Sequence, residues 1–311
     1  MGVLRARRPV VHVHLDRYVN TLGKHLKARF GQRVRKLSLD AGFTCPNRDG
    51  TLGRGGCTFC SVRSFNESDA QVSVLEQLAA RRLELKRASR YIAYFQAYTS
   101  TYAEVEELRH LYAEATRQDD IVGLCVGTRP DCVPDTVLEL LADYRQRGYE
   151  VWLELGLQSA HDETLLRINR GHDFAAYADA VSRARHYGIP VCAHLIIGLP
   201  GESDAMCRQT HSRVLEHGVE GIKLHPLMVV KGSAMAVQYS RGELSPPLID
   251  DYAATAAELI RRTPPEVVFH RVTATAREPT LIAPDWCHTS WPAIHAICED
   301  LIRNGIQGCR R

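Results

Sequence analysis

The 311-residue chain has no run of roughly 18 consecutive apolar residues, which argues against a membrane-spanning helix. Its N-terminus lacks the apolar stretch that a secretory signal needs. Together these predict a cytoplasmic protein with no membrane partner. There is no Walker lysine motif, and no G-x-G-x-x-G follows a strand pattern, so phosphoryl-transfer and nicotinamide chemistry have little support. No Gly/Ser linker or internal repeat divides the chain. The net charge of +3 is too mild to name a partner.

What is present is more telling. Short apolar runs alternate with amphipathic stretches from about residue 34. Strands are predicted at 34–39, 91–96, 121–127, 151–157, 191–197 and 221–227, several of them nearly continuous apolar runs of the kind a helix-covered parallel sheet buries. Between them, Val105, Leu108, Leu111 and Tyr112 share one helical face, as do Val137, Leu140, Leu141 and Tyr144. This α/β alternation predicts a partial (β/α)6 TIM-like barrel over 34–235, or else an open doubly wound sheet. In either case the chemistry belongs in the loops after the strands' C-terminal ends. Residues 236–311 read as a C-terminal α/β extension packed on the core. Residues 1–33 form a basic N-terminal segment. Over residues 1–40, ten basic side chains oppose only Asp16 and Asp40, a balance that suits either a phosphate backbone or plain solvation.

Ten cysteines in a chain without an export signal point to metal or catalysis where they cluster. Cys125, Cys132, Cys192, Cys207, Cys287, Cys298 and Cys309 are scattered and read as small buried hydrophobes. Cys45, Cys57 and Cys60 lie in "CPNRDGTLGRGGCTFC", directly after the first strand. Structural zinc wants four ligands, commonly from two C-x2-C knuckles. Only one knuckle is present, and a distant fourth ligand such as His110 would leave the glycine-rich loop unexplained. A [4Fe–4S] cluster held by three thiolates fits better, with one iron left open for a ligand. Gly50, Gly53, Gly55 and Gly56 let the backbone wrap a compact anion, and Phe59 would screen it from water.

A three-cysteine loop ending in C-x-aromatic-C at this place resembles the radical S-adenosylmethionine (SAM) superfamily. The first gap of eleven residues, longer than the superfamily's usual three, is similar to the branch containing the elongator catalytic subunit. "TRPD", "ELGLQS", "INRGHD", "AHLIIGLPGE" and "KLHPLMVVKGS" follow in that branch's order, and the whole looks similar to the YhcC-type subfamily. The resemblance implies a [4Fe–4S] cluster on Cys45, Cys57 and Cys60. SAM would be chelated to the open iron and cleaved reductively to a 5′-deoxyadenosyl radical that takes hydrogen from a substrate. It implies an external electron donor such as flavodoxin or ferredoxin, and it makes tRNA the candidate partner. A small metabolite or a protein side chain is the alternative substrate, and a zinc-stabilised nucleic-acid-binding module the alternative of another class.

On the same footing, Arg170 is expected to grip the SAM carboxylate with its planar fork, with Arg167 as the lesser choice. Gln158 and Ser159 at a strand's C-terminal end are expected to address SAM, and Gly198 and Gly201 to let the adenine approach the backbone. His194 stands near the expected ribose. Glu154, earlier in its strand, should be paired or line the barrel. The branch's Gly-Gly-Glu is replaced by "FQAYTST", which leaves Gln96, Thr99 or a backbone carbonyl to meet the SAM amino group. Gly127 stands where the branch has a glutamate. Cys132 and Cys287 are conceivable hydrogen donors, but nothing in their spacing requires it.

Overall fold

A computed structural model describes residues 14–61, 72–85 and 88–309. Part of the expected basic arm, including Arg5, Arg7 and Arg8, lies outside the described residues. In chain order the strands are β1 (Val34–Leu39), β2 (Arg90–Phe95), β3 (Ile121–Thr128), β4 (Glu150–Gln158), β5 (Val191–Ile197), β6 (Gly221–Pro226), β7 (Val229–Val230), β8 (Val268–Arg271) and β9 (Leu281–Ala283). The main sheet runs β1-β2-β3-β4-β5-β6-β8 and every pairing is parallel. It curls into a half-barrel, with β7 and β9 forming a separate antiparallel ribbon.

All six expected strands form. The stretch expected as an extension also supplies a seventh, because β8 adds to the exposed edge of β6. The helices between successive strands cover the outer face, and their amphipathic stripes meet the sheet's apolar outward side chains in one core. They begin as their sequences suggest: Ser73 and Glu76 form a reciprocal capping box, and Asp173 and Ser203 each accept an amide of the first turn. Helix α1 (Leu22–Phe30) plugs the N-terminal end of the half-barrel. Its Leu22 and Leu26 pack with Ile92, Tyr94, Cys125, Trp152 and Cys192. With that end sealed, the barrel opens only at the strands' C-terminal ends. Among the described residues, no helix is long and apolar enough to cross a membrane.

Candidate active site

The cysteine loop is folded back on itself by local bonds. Cys45 precedes α2 (Pro46–Asp49) and its carbonyl accepts the Arg48 amide at 2.8 Å, with Pro46 opening the helix. Gly50 leaves α2 at φ +99°, and the Leu52 amide returns to the Pro46 carbonyl at 2.8 Å. A Cβ on Gly56 would lie 2.6 Å from Arg48 Nε, so the loop closes only around glycine there. The Cys60 amide then donates to the Cys57 carbonyl at 3.0 Å. As a result Cys45, Cys57 and Cys60 all border one cavity of about 820 Å3 at the barrel mouth, and none is in a disulfide. Phe59 borders it too, backed by Leu165, Ile168 and Leu227.

Two donors aim at sulfur. Arg170 Nη1 lies 3.4 Å from Cys57 Sγ, and Asn47 Nδ2 lies 3.7 Å from it. Burial pushes the Cys60 thiol up and nearby Cys57 adds to this, while Arg48 and Arg170 pull it down. A soft three-thiol donor set flanked by cationic donors fits a cluster that needs three thiolates.

Arg170 is fixed from several sides. Its Nε and Nη2 donate to the Gly156 carbonyl at 3.1 and 2.5 Å. Arg129 Nη1 donates to the Arg170 carbonyl at 2.8 Å and is itself clamped by both carboxylate oxygens of Asp131. A Cβ on Gly156 would lie 2.8 Å from Arg170 Nη2 and 2.9 Å from Gln158 Nε2. Glycine at 156 is therefore what admits both side chains to the mouth.

The expected cofactor residues separate into two groups. Gln96, Thr99, Gln158, Arg170 and His194 border the cavity. Thr99 Oγ1 is buried without a hydrogen-bond partner among the described residues, a polar atom left for a ligand. Gln158 sits at φ +78°, beyond a register slip against β5 between residues 156 and 158. Its side chain keeps the inward side that Glu154 and Gly156 share, and so borders the mouth. Ser159 does not border the cavity. Strand alternation turns it away, and its hydroxyl bonds Glu202 and accepts the His161 amide at 3.1 Å. Arg167 is also elsewhere, donating to the Pro200 carbonyl at 2.7 Å beside Gly201. Cys132 and Cys287 are buried and lie off the cavity wall. Of the scattered cysteines only Cys309 is exposed.

The layer beneath the mouth is polar, and of its members the sequence singled out only Glu154 and His194. Glu154 is fully buried and touches six side chains: Lys36, Tyr94 (2.6 Å), Cys125 (3.2 Å), His194 (2.7 Å), Lys223 (2.9 Å) and His270 (2.8 Å). Burial alone would raise its carboxyl, but Lys223 and Lys36 outweigh burial and hold it well below the usual range. Burial keeps the flanking histidines neutral, lowering His194 to about 4 and His270 to about 3.

A sequence model of the radical SAM superfamily matches residues 45–214, and one of its C-terminal domain matches 219–303. The chain belongs to the radical SAM superfamily. Within it the chain is of the YhcC type: it is 58% identical over 297 residues to protein YhcC of Escherichia coli K12, covering 95% of this chain and 96% of that one. Part of the chain also matches a tRNA uridine(34) acetyltransferase of Dehalococcoides mccartyi, 31% identical over 160 residues. That match spans 50% of this chain and 34% of the relative. Among solved structures, an N-terminally truncated Elp3 of Methanocaldococcus infernus superposes with a TM-score of 0.65 at 18% identity, over 88% of this chain and 64% of that one. The chain thus spans a little under two thirds of that structure, and the likeness is one of fold. The half-barrel, with its site at the strands' C-terminal mouth, is that of a radical SAM enzyme.

Proposed function

We propose that Cys45, Cys57 and Cys60 hold a [4Fe–4S] cluster, and that the adjoining cavity binds SAM and a substrate hydrogen donor. The observation that carries this reading is the convergence of all three thiols on one cavity, with Arg170 bonded to Cys57 Sγ. When bound, cluster and SAM supply a 5′-deoxyadenosyl radical after one-electron reduction by a donor of the flavodoxin or ferredoxin type. The chain's own residues bind and orient. Arg170, held on the Gly156 carbonyl, presents a positive fork beside the cluster site for the SAM carboxylate. Gln96 and the unpaired Thr99 hydroxyl face the place of the amino group, and Gln158 and His194 the ribose. Ser159 acts at one remove, holding Glu202 of the "GLPGE" turn. Phe59 and the plugged barrel floor keep water from the reacting centre.

For the substrate, the reading supported by the similarity to tRNA uridine(34) acetyltransferases, and by the basic first 40 residues, is a tRNA nucleoside. Anaerobic reconstitution tests the first part: the expected result is a brown protein that forms 5′-deoxyadenosine on reduction. A colourless, zinc-loaded protein would overturn it. Modified-nucleoside profiles of tRNA from cells lacking the gene test the second part. An unchanged profile points instead to a small metabolite or a protein side chain.

A further inference from the structure

The cavity lining is rich in cations, with eight lysines and arginines against Glu84 and Glu278. Lys36, Lys223 and Arg271, from β1, β6 and β8, all border the cavity. Both lysines share one carboxylate, Glu154. The Arg271 side chain is exposed at the cavity rim and makes no hydrogen bond or ion pair with a described residue, so its five donors meet solvent or a ligand. Next to it in the sheet stands Lys223, paired in register with Arg271. Lys223 spends its ammonium on Tyr94 Oη (2.7 Å) and Glu154 (2.9 Å), which leaves one of its three N–H groups. His225 lies two residues further along β6, stacked on His194 with ring centroids 6.0 Å apart. Its Nε2 is buried without a partner among the described residues. Arg271 is close enough that, after burial, it is the largest influence holding His225 well below its ordinary value. A neutral imidazole, a free ammonium N–H and a guanidinium with no described partner thus meet on one wall, where Glu154 is already shared by two lysines.

We propose that Arg271, Lys223 and His225 form a seat for an oxyanion of the substrate, a carboxylate or phosphate, in the cavity that the cysteine loop also borders. The inference rests on the reading of this cavity as the substrate chamber. It deepens that reading by naming the substrate as anionic. Leaving the buried His225 Nε2 without a partner is costly, and a ligand oxyanion would satisfy it together with the third lysine N–H, while the exposed Arg271 guanidinium supplies the charge at the rim. The cavity's size, about 820 Å3, lies toward the upper end of the roughly 300–1,000 Å3 typical of ligand sites and leaves room for more than one small molecule. The seat is on β6 and β8, and the cluster site follows β1. Both border the same cavity, so an anchored substrate would share it with the cofactor.

The test is isothermal titration of the full-length protein with inorganic phosphate and, separately, with succinate, before and after cluster reconstitution. The expected result is one site per chain for at least one probe, weakened roughly tenfold or more by Arg271→Gln and by His225→Phe. Circular dichroism and iron content should be unchanged in Arg271→Gln. Phosphate preference identifies a phosphorylated substrate, and succinate preference a carboxylate. Binding of neither probe, or binding that both variants leave intact, overturns the seat. Cys57→Ala separates the two readings. If it takes up no iron yet keeps the oxyanion site, both stand. Wild-type protein that binds the oxyanion but never loads iron overturns the radical reading alone.

Discussion

The Arg170 guanidinium donates to the Cys57 sulfur at 3.4 Å, joining the turn after β4 to the loop after β1 across 113 residues of sequence. This places the arginine where it touches both the cluster site and the cavity. Arg170→Ala is expected to weaken SAM binding by about 10- to 100-fold, the loss of a charge-assisted hydrogen bond or two. Iron content should be retained. Equilibrium dialysis with reconstituted protein checks this, and loss of iron along with SAM binding would mean that the residue supports the cluster loop instead.

Cys57→Ala should abolish the brown chromophore and 5′-deoxyadenosine formation together. Cys287→Ala, which changes a thiol buried away from the cavity, should keep both. Iron and sulfide analysis with product chromatography decides, and retention of either signal in Cys57→Ala shows that the ligand assignment is wrong.

Gly156→Ala places a methyl 2.8 Å from Arg170 Nη2 and 2.9 Å from Gln158 Nε2. Both side chains must shift, with overpacking costing about 1–3 kcal/mol. The expected signature is weaker SAM binding with near-normal iron, alongside a thermal shift of a few degrees. An unaltered SAM affinity would show that the crowded mouth is not the cofactor's seat.

Acidification should destabilise the protein well before its carboxylates titrate. Burial lowers His211 and His194 to about 4 and His270 to about 3. The unfolded chain therefore binds protons at these histidines near pH 6.5, where the folded chain does not. Their stabilising contribution is complete above pH 6.5 and is lost as pH falls toward 4, by at most about 1.4 kcal/mol per pH unit for each histidine. Melting temperatures at pH 8, 6.5 and 5 should be similar for the first pair and fall clearly at the last. His211→Gln, which replaces the partner of Thr263, should flatten that fall. A curve that is level down to pH 5 contradicts the neutral histidines.

Glu154→Gln removes the shared counter-charge of two buried lysines while keeping the shape. A loss of about 3–5 kcal/mol in urea unfolding is expected, as when one partner of a buried ion pair is deleted. A loss below 1 kcal/mol would mean that water or another acid already screens the lysines.

Much of the framework was legible because its signals are local. Six apolar strand runs, two helical faces and the cysteine loop each depend on residues near one another in sequence. The seventh strand was legible only as part of an α/β extension and not as a member of the sheet, because nothing local says which edge a strand joins. Ser159 lies off the cavity for a simpler reason: Glu154, Gly156 and Gln158 share the inner side of β4, so the next residue turns outward, and reading the strand's polar end as one unit passes over that alternation. The polar layer was hardest to see. Lys36, Tyr94, Glu154, His194, Lys223 and His270 come from six different strands, and only the curvature of the sheet brings them together.

The outer edge of β8 is not left bare. The Phe269 amide donates to the Asn20 carbonyl at 2.8 Å, while the Asn20 amide donates to Gln307 Oε1 at 2.7 Å, across 287 residues. Gln307 also reaches the Pro264 and Val267 carbonyls at 2.8 Å each. The two ends of the described chain are thus stitched to each other over the last strand. A growing polypeptide cannot tie this knot until nearly all of it has been synthesised, so the wall bearing Arg271 is the part of the barrel completed last, and trimming either end should loosen that wall first.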